Sequence, residues 1–133
     1  MQQTPSLWVA AAAAAIAFSE PARAELVPVA WDSAGQFAKE ISIAPGKFVE
    51  LCEKLPAGAK VAWRFEAAAP LNFNIHYHEG QEVRFPAKRE QVGAGEGTLE
   101  APVAQDYCWM WTNKAAAQTR LTLQLKRSAP APR

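Results

Sequence analysis

Asp106-Tyr107-Cys108-Trp109-Met110-Trp111-Thr112-Asn113 is the stretch that decides the fold. Side chains alternate in a strand, so Tyr107, Trp109 and Trp111 share one face while Cys108, Met110 and Thr112 share the other. Both faces are bulky and mostly apolar, which suits a central strand of a two-sheet sandwich better than an exposed edge. Cys108 has a single covalent partner available, Cys52. Two cysteines in a small secreted domain are expected to pair. A Cys52–Cys108 bond would close a long loop and stabilise by about 4 kcal/mol in the chain-entropy account.

The secreted address comes from the N-terminal part. Leu7 to Phe18 is an apolar run too short to span a bilayer as a mature helix, Ser19-Glu20-Pro21 breaks it, and Ala22-Arg23-Ala24 has the small-x-small form of a signal-peptidase site. The stretch before it, Met1 to Ser6, carries no Lys or Arg, which departs from the usual pattern. Residues 1–24 are expected to be a signal peptide, 25–37 an N-terminal arm, 38–127 the folded domain and 128–133 a disordered tail. The expected location is secreted and periplasmic. The mature chain has no apolar run that would make a transmembrane segment.

The whole chain carries 14 basic and 13 acidic residues, and loss of Arg23 and Glu20 with the leader keeps the net charge at +1. That balance offers no electrostatic case for nucleic acid or an anionic membrane surface.

Along the mature chain the pattern is one of short strands. Lys39 to Ile43 and Lys47 to Leu55 flank the turn signal Pro45-Gly46. In Lys60 to Ala67, Val61, Trp63 and Phe65 alternate with Ala62, Arg64 and Glu66. Ala69-Pro70 reads as a break. Beyond it Leu71, Phe73, Ile75 and Tyr77 should point inward, with Asn72, Asn74, His76 and His78 outward. Glu79-Gly80 makes a hairpin turn into Glu82-Val83-Arg84-Phe85. The segment Gly93-Ala-Gly-Glu-Gly97 reads as a flexible connection, lacking the Lys and following helix of a phosphate loop. The last strand, from Thr119 to Lys126, buries Leu121, Leu123 and Leu125. With no helical periodicity over three turns, seven or eight such strands predict an all-β, antiparallel β-sandwich of jelly-roll-like type.

With those elements placed, the chain resembles the GOLD domain, the lumenal β-sandwich of a family of secretory-pathway proteins. The residues that carry the likeness are Cys52, the strand Ala62-Trp63-Arg64-Phe65, and Asn72-Phe73-Asn74-Ile75 running into Glu79-Gly80. Tyr107-Cys108 leading to Asn113, and Leu121-Thr-Leu-Gln-Leu125, complete it. The likeness covers roughly residues 40–127 and is one of pattern. It implies the fold and a protein- or lipid-binding module. The coiled coil and transmembrane helix of that family have no counterpart here, so cargo trafficking is not implied.

Few residues point to chemistry. His76 and His78 are the only histidines. At i and i+2 in a strand they share a face with Cβ atoms about 7 Å apart, a spacing at which two imidazoles can converge on copper or zinc. Glu79, Glu82 or Asn74 could add oxygen ligands. The run His76-x-His78-x-x-x-Glu82 resembles the first half of the cupin metal motif, whose second half is missing. The plainer alternative is that both histidines decorate an outer strand face. Trp109 and Trp111, with Asn74, His76 and His78, are a candidate interaction surface, against which stands ordinary core packing of the tryptophans. Met110 is expected to fill core space. No serine sits in a nucleophile elbow, and the carboxylates Glu50, Glu53 and Glu66 fall where an outer face would be charged anyway. The expected function is therefore a non-enzymatic binding or accessory module, without cofactor, presenting the sandwich surface to a protein partner in the cell envelope. A small metal-binding protein using His76 and His78 is the alternative.

Overall fold

A computed structural model describes residues 25–128. The expected leader, and all but the first residue of the expected tail, lie outside this range. Seven strands follow one another without a helix among the described residues: β1 (Glu25–Leu26), β2 (Gln36–Ile43), β3 (Phe48–Leu55), β4 (Lys60–Glu79), β5 (Glu82–Glu100), β6 (Gln105–Thr112) and β7 (Thr119–Arg127). They run in the order β1-β3-β6-β4-β7-β2, with β5 on the remaining edge of β4.

The long strand β4 makes this one sheet into a sandwich. Its first half, Val61 to Ala67, pairs with β7, whereas Asn72 to His76 pair with β6. Strand β5 follows β4 along both halves, with a register shift between Glu66 and Leu71. The result is a first layer, β1-β3-β6 with the later half of β4, packed against a second layer, β2-β7 with the earlier half. Ala69-Pro70 is thus a corner within one strand, and the expected break into two strands is corrected. Pro70 lacks an N–H, and the corner, where β4 changes partners, is a place where a strand tolerates that loss.

The inward phase of every strand meets in one core. Leu51, Val61, Phe65, Leu71, Phe73, Tyr107, Trp109, Trp111, Leu121 and Leu123 are almost wholly buried. Phe73 packs at a tilt between Trp63 and Phe65, each with its ring centroid 4.8 Å away, and Trp111 lies 5.3 Å from Phe73. Strand β6 lies between β3 and β4, the central place its two apolar faces predict. Trp109 and Trp111 are 0% and 1% exposed, so neither belongs to an interaction surface. They sit on the core phase of a strand with neighbours on both edges.

Gly93, Gly95 and Gly97 lie inside β5, and Gly95 and Gly97 pair with Phe65 and Trp63 of β4, which corrects the expected flexible connection. The reason is the bulk opposite them. A Cβ on Gly95 would stand 2.8 Å from Cε1 of Phe65, and one on Gly97 would stand 2.7 Å from Cζ2 of Trp63. The aromatic rings of β4 lie over glycines of its neighbour, a pairing that only a residue without a side chain accepts.

Loops are held by specific polar contacts. The hairpin between Glu79 and Glu82 has two residues, and Gly80 takes φ +62°, as a type II′ turn requires at its first position. Asn113, fully buried, donates from Nδ2 to the carbonyls of Ile43 (3.0 Å) and Ala117 (2.8 Å), and its Oδ1 accepts from the Ala115 N–H (3.0 Å). The Tyr107 hydroxyl donates to the Val103 carbonyl at 2.6 Å. Burial raises the Tyr107 pKa, a shift the Val103 contact partly offsets.

The N-terminal arm is attached more firmly than its composition suggests. β1 adds to β3 in parallel, Val27 is buried, and Trp31 donates from Nε1 to Glu53 Oε1 at 3.1 Å while Arg127 covers its ring.

Candidate functional site: the outer face of the first layer

The outward phase of the first layer can be read across its strands from the pairing. Cys52 faces Cys108, and Cys108 faces His76. One row away, Leu26 pairs with Glu50, Glu50 with Met110, Met110 with Asn74, and Asn74 with Lys88. On the other side Lys54 pairs with Asp106, and His78 with Val83. The disulfide expected from composition is therefore a direct cross-strand bond between Cys52 and Cys108, lying on this outer face.

His76 is the chemically unusual member. It sits on the outward phase as predicted, yet it is only 8% exposed. A bulge makes the difference. The register of β4 against β5 shifts between Ile75 and Tyr77, which leaves Phe85 and Pro86 opposite His76. The Phe85 ring lies 6.2 Å from the imidazole, centre to centre, with Lys88 Nζ 5.1 Å above the Phe85 ring. The disulfide flanks the other side.

Both ring nitrogens of His76 have partners. Nδ1 is 2.7 Å from Asn74 Oδ1, and Nε2 is 3.2 Å from Glu50 Oε1. The two side chains of the Glu50–His76 contact are only 17% and 10% exposed. Burial lowers the His76 pKa below its ordinary 6.5; the Glu50 carboxylate opposes this and His78 adds to it. His78 is exposed, and its ring meets that of His76 edge-on, centroids 5.5 Å apart and planes at 86°.

The structure thus brings His76, His78 and Asn74 together, as expected from their spacing, and supplies the carboxylate from elsewhere. Glu79 and Glu82 face each other at the hairpin tip, both exposed, and Glu82 is ion-paired with Arg84. The carboxylate beside the histidines is Glu50, 26 positions upstream of His76 on β3, read from the sequence as ordinary surface charge. Glu50, His76 and Cys108 each place a donor atom within 4.8 Å of the others. Cys108 offers no thiolate, since its sulfur is bonded to Cys52.

The same face carries exposed apolar side chains. Among the described residues, four large hydrophobics are notably exposed: Leu26 (67%), Phe85 (47%), Val83 (41%) and Val103 (36%). The first three lie on this outer face, at its two margins. No helix among the described residues is long and apolar enough to cross a membrane.

No protein-family model matches the chain, and no curated protein matches it. Solved structures do. PliG from Aeromonas hydrophila, a periplasmic inhibitor of g-type lysozyme, matches with a TM-score of 0.61 at 17% identity, over 80% of this chain and 98% of that one. The fold is shared. PliG from Salmonella Typhimurium, also a periplasmic inhibitor of g-type lysozyme, gives a TM-score of 0.55 at 9% identity over 80% and 100%. The pre-peptidase C-terminal domain of Bacillus anthracis collagenase gives 0.57 at 10% over 82% and 100%. At such identities the likeness is one of fold alone.

Proposed function

We propose that this chain is a periplasmic, non-enzymatic module that binds a protein, and that it acts as an inhibitor of PliG type. The observation that carries the reading is the placement of Leu26, Val83 and Phe85 on one outer face. A soluble domain that leaves two aliphatic side chains and a Phe uncovered on one side has a surface suited to a partner. The likeness in fold to periplasmic lysozyme inhibitors adds the class of partner, a g-type lysozyme. The export leader expected at residues 1–24 would agree with that location. The resemblance to the GOLD domain points the same way, toward a secreted sandwich that binds proteins.

In this reading Phe85 is the anchor. It stands on an edge strand, raised by the bulge and flanked by Lys88, and its ring would be desolvated on docking. The deciding experiment is a titration of purified mature protein into a g-type lysozyme acting on peptidoglycan. Inhibition that saturates at one equivalent, and that is lost in Phe85→Ala, is the expected outcome. Full lysozyme activity at a large molar excess of the protein would refute the inhibitor reading.

A further inference from the structure

We infer that the Cys52–Cys108 bond is a thiol-exchange site on the outer face of the first layer, opened in the folded chain by a dithiol that attacks Cys52. The inference does not depend on the protein-binding reading.

The bond stands apart from the core. Strands β3 and β6 bury Leu51, Tyr107 and Trp109 on their inner side, while Cys52 and Cys108 lie on the outer phase of the same strands. Eight residue pairs, from Phe48↔Thr112 to Leu55↔Gln105, hold β3 against β6, and five more hold β6 against β4. The disulfide is one cross-link within that ladder, at the pair Cys52↔Cys108. Cutting it removes no core contact and no backbone hydrogen bond. The two sulfurs then stay on facing residues of one ladder, placed to rejoin.

Its two ends are unequally accessible. Cys52 is exposed, whereas Cys108 is only 8% exposed. The Cys108 sulfur is crowded, with a His76 ring nitrogen and a Glu50 carboxylate oxygen both within 4.8 Å of it. On the other side, β1 pairs with β3 only at Val49 and Glu50, which leaves Cys52 without a paired neighbour on that edge. Exchange proceeds by attack of a thiolate on one sulfur of the bond, and access decides which sulfur is reached. Here it is Cys52.

The reaction balances as a two-electron transfer. One thiolate of the dithiol bonds to Cys52 Sγ, the Cys52–Cys108 bond breaks, and Cys108 leaves as a thiolate that takes a proton from water. The second thiol of the dithiol loses its proton and displaces Cys52 from the mixed disulfide, and Cys52 is protonated in turn. The dithiol ends as a disulfide, and this chain holds two thiols.

The experiment follows reduction of the oxidised, folded mature protein by dithiothreitol, with free thiols alkylated and counted by mass spectrometry. The rate should rise in proportion to dithiothreitol. It should stay constant as urea is raised below the unfolding transition, because direct attack exposes no new surface. The near-ultraviolet circular dichroism of the aromatic core should survive reduction. A rate that climbs with urea from the start would mean that the bond opens only in unfolded chains, and overturns the proposal. Loss of the near-ultraviolet signal on reduction does the same. Single-cysteine variants test which sulfur is reached. Cys108→Ser, which keeps the Cys52 thiol, should react with an aromatic disulfide reagent about tenfold or more faster than Cys52→Ser, which keeps Cys108. Equal rates in the two folded variants contradict attack at Cys52, and if either variant fails to fold the urea dependence of the parent still decides.

Discussion

The two outer faces of this sandwich arise from the same alternation of residues and end up chemically unlike. On the second layer Ala38, Glu40, Ala62, Arg64, Glu66, Thr122, Gln124 and Lys126 are all exposed. Its ion pairs are open to water: Arg64–Glu66 at 3.8 Å and Arg120–Glu40 at 2.9 Å, with every side chain more than half exposed. On the first layer the polar contact is the sheltered Glu50–His76 pair, beside a disulfide and under Phe85. Solvated pairs contribute little and read as solubility. A polar pair that a bulge and an aromatic ring keep from water has lost hydration, which its contacts must offset. That contrast agrees with the proposal that the first layer is the functional side.

The disulfide allows the strongest perturbation of that face. Replacing both cysteines by serine should lower stability by about 4 kcal/mol in the loop-entropy account, read as a shift of the denaturant midpoint. An unchanged midpoint would mean that the β3–β6 pairing holds the layer without it. Next in size is His76→Ala, which leaves the Glu50 carboxylate sheltered without its partner and should cost about 1–3 kcal/mol. If it melts like the parent, the pair is no different from those on the second layer.

A smaller effect separates the faces by pH. The His76 pKa is depressed on folding, so the folded chain binds fewer protons than the unfolded one once the pH drops below the ordinary value of 6.5. The contribution is present above that pH and is lost as the pH falls through the lowered folded value. The protein should therefore lose stability from about pH 6.5 downward, and His76→Gln should flatten this part of the profile. A profile identical in parent and variant would remove His76 as its source. The smallest effect is expected on the second layer. Arg120→Ala should change stability by no more than about 0.5 kcal/mol, and a larger loss would show that this face is not merely solvated.

Much of the fold was legible because period-two alternation is a local property. Leu71, Phe73, Ile75 and Tyr77 are buried where the alternation puts them, and the Cys52–Cys108 bond was expected from there being two cysteines in a domain read as secreted. Less legible were features set by what lies opposite. Pro70 looks like a stop because a proline ends most strands, and nothing nearby tells that β4 changes neighbours at that corner. The glycines of β5 look flexible until the rings of Trp63 and Phe65 are placed over them. Trp109 and Trp111 gave either reading, ligand platform or core, until both edges of β6 were found paired.

The sequence by itself determined an all-β chain, its central aromatic strand, its disulfide and the shared face of His76 and His78. Each of these depends on composition or on spacing of a few residues along one strand. Only the tertiary structure decided that Glu50, not Glu79 or Glu82, meets His76, and that Phe85 shelters the pair while Leu26 and Val83 share its face. Those contacts cross strands far apart in the chain. Register and a single bulge set them, and a one-residue slip would turn the same side chains to the opposite side.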